Sequence, residues 1–399
     1  MTTIDRRAML TLAGGGIALA ALPARAAVNV DDAALRAALD SLGPHPEPQA
    51  ALAALARFDA ARLSPGPELD LATVRFGLAI ERELAAASPT SPGRYALQLA
   101  RACGAWIEPE RARTRLQSER ARVERIAQVN FDRLGLPEGT TGARFAALLA
   151  RGDGSWSDSE AGRQAAIDWM NRLLDEARAD LSRWFGPLPG DCGDVVVRGM
   201  TPAELASGKG GYRILPTAGA TGAYVVDLRR ITARPRWTLA SVVHHELLPG
   251  HMVQLPLEAL AAPHPLRLRF AAGFSEGWAI HAEWLAFRGG LLPDAASRVG
   301  ALHWRLFRVE RALADIAIHH DGWSDATVIA ALRERLGFPA YFAPFESDVA
   351  RTHQAPGPRV AEALTALALD DGVAHARDLR LFHRRMLSLG ARPLSWIGL

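Results

Sequence analysis

Apolar residues recur at three- and four-residue spacing along most of this chain, the pattern of helices that bury one face. It is clearest in "DDAALRAALDSL", "LDLATVRFGLAIERELAAA", "ERARTRLQSERARVERIAQVNFDRL" and "SEAGRQAAIDWMNRLLDEARADLSRWFG". Pro- and Gly-rich punctuation ("GPHPEP", "SPGPE", "SPTSPG") separates the helical stretches. Between Gly190 and Arg234 the pattern changes. "DVVVRGM", "GYRILP" and "GAYVVDL" are short, β-branched or aromatic runs set apart by glycine-rich turns, and they predict a small sheet. "GAYVVDL" reads either as a structural hairpin strand or as an edge open to an extended peptide. "TPAELASGKGGY" is the expected flexible segment. Helix resumes at Thr238, the expected cap, and continues with breaks to the C-terminus. The prediction is a mainly α fold with a small β-sheet immediately preceding one very apolar helix. No internal repeat is visible.

Composition narrows the class without naming a function. The chain has 399 residues, 49% hydrophobic and 22% charged, enough for a sizeable core. Its net charge of +3 is spread as arginines interspersed with glutamates, so nucleic acid is not an expected partner. At the N-terminus, Arg6 and Arg7 precede an apolar run from Ala8 to Leu22 and the small-residue site Ala24-Arg25-Ala26. This is the layout of a cleavable twin-arginine signal over residues 1–26, because the run is shorter than the ~20 residues of a membrane span. A periplasmic protein with no stable membrane insertion after cleavage is expected. The remainder divides into a helical N-terminal region, 27–190, and a metal-site-bearing catalytic region, 191–399, expected to form one continuous fold. Cys103 and Cys192 read equally as a bridge or as two buried thiols. Nothing in the pattern sets the oligomeric state.

The chemistry concentrates in "HHELLPGH", His244 to His251. Two histidines one helical turn apart with an adjacent glutamate make a zinc-hydrolase motif, but His251 lies six residues beyond His245. On a regular helix that spacing separates them by about 120° and ~9 Å, too far for zinc bonds of ~2.0–2.1 Å. Pro249 lacks an N–H and clashes with the carbonyl of His245, and Gly250 tolerates unusual backbone angles. Together they are expected to loop residues out of the helix and bring His251 beneath His245, with Glu246 beside the metal to activate water. Glu276, in "FAAGFSEGWAIHAEWLAF", is the expected third ligand. Glu283 is its rival or an outer partner.

Other polar residues carry weaker signals. His244 reads as a core or outer-shell residue. Asp315 and His319 share a helix face, either as a buried polar pair or with His319 donating to a reaction intermediate. Arg351 reads as a group for a substrate carboxylate or carbonyl, or as a surface ion-pair partner. His353 and His383 are weaker candidates.

"HHELLPGH", "FSEGWAIHAEWLA", "RALADIAIHHDGWS", "DVARTHQAPGPRV" and "DLRLFHRRMLSLGARPLSWI" occur in the order seen in the bacterial "domain of unknown function 885" proteins. Over roughly Tyr212 to the C-terminus the chain resembles that family, whose members are regarded as zinc metallopeptidases related to the His-Glu zincins. The resemblance implies a large helical metallopeptidase-like fold. It implies one Zn2+ per chain held by His245, His251 and Glu276, with Glu246 as general base. The chain keeps the family's Arg351, Pro356 and Gly357, but has Thr352, Pro358, Glu362 and His281 where tyrosine or glutamine is usual. The functional expectation is a zinc peptidase acting on a peptide or small amide, with Glu246, His319 and Arg351 as catalytic candidates. A catalytically silent zinc-containing binding or scaffold protein, and a metal hydrolase of other amides or esters, are the alternatives.

Overall fold

The computed structural model describes residues 29–189 and 192–398, so the expected signal segment lies outside the described residues. Helix makes up 67% of the structure and strand 5%, which matches the mainly α reading. The four clearest periodic stretches are helices Val30–Ser41, Pro65–Ala86, Pro109–Arg133 and Glu160–Phe185. Their starts follow elementary capping. Asn29 accepts from the Asp31 N–H and Ser159 from the Gly162 N–H, while proline occupies the first turn at Pro65 and Pro109.

One core cluster runs from Tyr95 to Ile397 and crosses residue 190 without a break. A smaller cluster joins Leu35, Leu39, Leu55, Val74 and Leu78 to Leu266 and Phe270. The first helices therefore dock onto the segment just after the histidine motif.

The sheet has three strands: β1 (Val195–Gly199), β2 (Tyr212–Ile214) and β3 (Gly222–Val226), in the order β1-β3-β2. β3 pairs parallel to β1 and antiparallel to β2. All five β3 residues are buried. "GAYVVDL" is thus the central strand, both of whose edges are already paired, and the edge reading passes to β2. The segment expected to be flexible opens with a short helix, Pro202–Ala206, whose Thr201 and Glu204 form a reciprocal capping box.

The central pillar is the helix Ala295–His319, which packs on Pro109–Arg133, Arg236–Glu246 and Pro358–His375. At Gly300 it approaches the Arg236–Glu246 helix so closely that a Cβ would lie 2.0 Å from the Trp237 carbonyl oxygen, so any side chain there would push the two apart. Trp304 Nε1 donates to the Thr238 carbonyl at 3.0 Å. Arg305 is buried and donates to Glu119 at 2.8 Å and Asp370 at 2.5 Å, tying the pillar to two neighbours. A buried cation of this kind needs such partners to offset its lost hydration. His281, where a tyrosine was expected, belongs to the same network: its Nδ1 lies 2.6 Å from Asp370 and its Nε2 3.5 Å from His383. Cys103 is a buried thiol, not bridged to Cys192, which is also buried.

His303 stacks on Phe338 at 4.2 Å and meets Phe145 edge-on. Burial pushes its imidazole down to about 4, against the pull of the Leu336 and Phe338 carbonyls. A group held neutral in this way contributes stability that is present above its unfolded pKa of ~6.5 and is lost as pH falls through the folded value. Urea unfolding in steps from pH 7.5 to pH 4 should therefore show the native protein losing up to ~3 kcal/mol relative to His303→Phe. A constant difference across that window would refute the assignment.

Candidate metal centre

His245 and Glu246 close the helix Arg236–Glu246, and His251 opens the next, His251–Ala261. The expected bulge within one helix is instead a complete break. Leu247 leaves helical geometry at φ −116°, ψ −104°, the Leu248–Pro249 bond is cis, and a new helix axis starts after Gly250. Gly250 lies at φ −75°, ψ −131°, outside both helical and extended backbone, as the expected tolerance of unusual angles required. A Cβ there would lie 2.0 Å from the His245 carbonyl oxygen and 2.4 Å from that of His244. The turn folds back tightly enough that only hydrogen fits. Trp278 Nε1 holds the Pro249 carbonyl at 3.0 Å, and the Met252 N–H reaches Leu247 at 3.1 Å. Thr238 is inside the helix rather than its cap; Pro235 precedes the first turn, and the Thr238 hydroxyl donates to the Pro235 carbonyl.

This break brings the two imidazoles together, their ring centres 5.0 Å apart at 87°. Glu276, in the first turn of Gly273–Gly289, faces both: Oε2 is 3.4 Å from His245 Nε2 and Oε1 is 3.4 Å from His251 Nε2. The three candidate ligand atoms lie within 4.8 Å of one another.

The surroundings also select the tautomers. His245 Nδ1 is 2.7 Å from Glu283 Oε1, so it donates there and leaves Nε2 as the nitrogen that faces Glu276. Glu283 is fixed in turn by the Ser241 hydroxyl at 2.6 Å. Ser275 gives its proton to Gln254 at 3.0 Å and lies 3.3 Å from His251 Nδ1, from which it can accept. His251 Nε2 is then a fully buried lone pair without a hydrogen-bond partner among the described residues. Two Nε2 atoms, their rings oriented by Glu283 and Ser275, and a carboxylate form a donor set suited to zinc. Glu283 is therefore the carboxylate behind His245, and Glu276 is the one that converges with both histidines.

Charge shapes the centre further. Burial pulls the His245 imidazole down, but Glu276 and Glu283 more than reverse this and hold it at about 9. Burial raises Glu276, yet its bonds to the two histidines keep it well below the usual carboxylate range. His251 is pushed down by burial. His244 is fully buried with Nδ1 3.0 Å from the Leu248 carbonyl, a core residue that ties down the turn.

Glu246 sits beside His245 in a cleft also lined by Trp304, Arg308, Tyr341 and Phe342. Arg213 of β2 forms an ion pair with it. Arg308 Nη1 lies 3.8 Å from Glu276, and its Nε has no hydrogen-bond partner. Four carboxylates raise the Arg308 guanidinium against the effect of burial, Glu276 first and then Glu283, Glu362 and Glu246. Sequence reading missed Arg213, Arg308 and Tyr341. Arg308 did leave a signal, since it stands four residues after Trp304 on the buried face of its helix. Arg213 and Tyr341 left none, because only the sheet and the Phe338–Phe342 turn carry them here.

The other candidates go elsewhere. His319 Nε2 is 2.9 Å from the Thr352 carbonyl, and its ring stacks on Tyr95 at 5.6 Å. Asp315 accepts from the Tyr95 hydroxyl at 2.9 Å and from the Gly357 N–H, which makes it the buried structural member of that pair. Arg351 is exposed, with Asp348 3.3 Å away. Neither His319 nor Arg351 is among the groups that contact His245, His251 or Glu276. His353 pairs with Asp325 at the surface, and His383 bonds the Trp184 carbonyl. A second cluster, Glu110, His320 and Asp321, is exposed, and Arg113 bridges both its carboxylates.

Residues 17–398 match the family described as "Bacterial protein of unknown function (DUF885)", and the chain belongs to it. No curated protein matches the chain. Among solved structures, a "putative lipoprotein" from Colwellia psychrerythraea is similar over 91% of this chain and 68% of its own, at 22% identity and a TM-score of 0.68. A "putative lipoprotein of unknown function" from Shewanella oneidensis is similar over 91% and 72%, at 16% identity and a TM-score of 0.62. At these identities the likeness is one of fold.

Two outcomes follow for metal binding. Glu283→Gln should weaken zinc affinity about 10- to 100-fold in a chelator competition assay while leaving the fold intact, since the oriented donor behind His245 is lost. Between about pH 7 and pH 9 zinc affinity should rise roughly tenfold per unit, because the metal must displace the His245 proton. A flat profile would count against His245 as a ligand.

Proposed function

We propose that this protein is an exported, zinc-dependent hydrolase that cleaves peptide bonds. The observation that carries the reading is the convergence of the buried His245 and His251 with Glu276, and Glu246 on the same cleft. Zinc bound to His245, His251 and Glu276 would supply Lewis acidity toward a carbonyl and acidify water. Glu246 accepts the water's proton and delivers it to the leaving amine. Arg213 holds Glu246 in an ion pair until substrate enters. Arg308 and Tyr341 line the cleft where an oxyanion would develop, and a cation or hydroxyl donor there would stabilise that charge. They offer donors in place of the tyrosines absent at positions 281 and 362.

Export rests on the N-terminal Arg6-Arg7 pattern and on the lipoprotein descriptions of the two similar structures. No helix among the described residues is long and apolar enough to cross a membrane. Peptides or small amides are the expected substrates. The Arg213–Glu246 ion pair also suits a second reading, a zinc-containing binding protein whose would-be base is permanently engaged.

Metal analysis combined with a peptide-library digest separates the two. About one zinc per chain is expected in both the native protein and Glu246→Gln. Cleavage should fall by ~10²–10⁴-fold in the variant. Zinc without turnover by the native protein would favour the binding protein, and absence of metal under zinc-replete conditions would sink the centre.

A further inference from the structure

The face of Ala295–His319 that carries Glu310 opens on a different cavity, between that helix, Pro109–Arg133 and Asp325–Leu336. Leu313, Ala314, Ala317, Val328 and Leu332 make an apolar wall around about 370 Å3. The space exists because three of the helix positions facing it are alanines (314, 317 and 331), where larger side chains would interlock. It is far larger than the ~30 Å3 share of one water molecule.

Glu310 also lines this cavity and is only 5% exposed. Among the described residues, none donates a hydrogen bond to its Oε1. The nearest cation, Arg120 Nη1, stands 3.9 Å away, beyond hydrogen-bonding range. The other arginines around the cavity face their own acids: Arg113 bonds Glu110 and Asp321, and Arg335 lies 3.5 Å from Glu124. Burial pushes the Glu310 carboxyl up to about 7, with Arg120 pulling the other way. An unpaired buried acceptor is a costly feature to keep. At the rim, Trp323 is 46% exposed, and its aromatic face suits a cation with an apolar body.

We propose that this cavity is a binding site for a small primary amine on a short, branched apolar body, the ammonium donating to Glu310 and the body resting on the leucine and alanine wall. Free alkylamines and aliphatic amino acids share that chemistry. The site is separate from the zinc reading and does not depend on it.

Calorimetric titration of the full chain at pH 8 with isoamylamine, leucine and isovalerate tests it. Isoamylamine should bind saturably and isovalerate should not. Glu310→Gln should weaken the amine at least about tenfold, the scale of a lost charge-assisted hydrogen bond. Ala331→Phe should abolish binding by filling the space with Glu310 intact, which keeps the test decisive if Glu310→Gln fails to fold. Leucine binding tighter than isoamylamine would assign amino acids as the ligand source, and weaker binding free amines. The proposal is overturned if the native protein does not bind isoamylamine at millimolar concentration. Unchanged affinity in a folded Glu310→Gln, or isovalerate binding as well as the amine, would overturn it too.

Discussion

A helix turns its side chains by a fixed angle per residue, and the candidate centre exists because the chain abandons the helix between Glu246 and His251. His245 closes one axis and His251 opens another, so their rings meet at 5.0 Å although six residues separate them. The turn is held by the close approach of Gly250 to the His245 carbonyl and by the Trp278 and His244 hydrogen bonds to Pro249 and Leu248. Its position also sets where Glu246 falls, as the last residue before the break and beside the cleft. The pillar helix then fixes that axis from outside, through Gly300 against Trp237 and the Trp304 bond to Thr238.

Around this turn the fold accepts an unusual density of charge. Glu246, Glu276, Glu283 and Glu362 all act on Arg308, and Arg213 engages Glu246. Carboxylates so close together repel one another and lose hydration, and the arrangement persists because histidines, arginines and a serine hydroxyl are interleaved with them. Glu283 illustrates the economy of the layout: it orients His245 while Ser241 orients it.

Fold likeness to the two lipoproteins extends over nine-tenths of this chain, but chemistry resides in side chains rather than in the scaffold. That is why Arg308 and Tyr341 matter here. Positions 281 and 362 lack the expected tyrosines. His281 is absorbed into a buried network with Asp370 and His383, while Tyr341 reaches the cleft from another part of the chain.

Local pattern alone determined the helical class, the sheet between residues 190 and 234 and the candidate trio His245, Glu246 and His251. Each depends on periodicity or on short spacing, which a sequence displays directly. Sequence could also say that Pro249 and Gly250 must disturb the helix. It could not say that the disturbance is a full break, because the steric reason for Gly250 is a contact made only once the chain has turned. The choice between Glu276 and Glu283, the central place of β3, and the fates of His319 and Arg351 were decided by packing among distant segments. Arg213 arrives on a strand, Tyr341 on a turn, and the Glu310 cavity arises where three helices meet at alanines. Those juxtapositions are long-range, and no spacing along the chain encodes them.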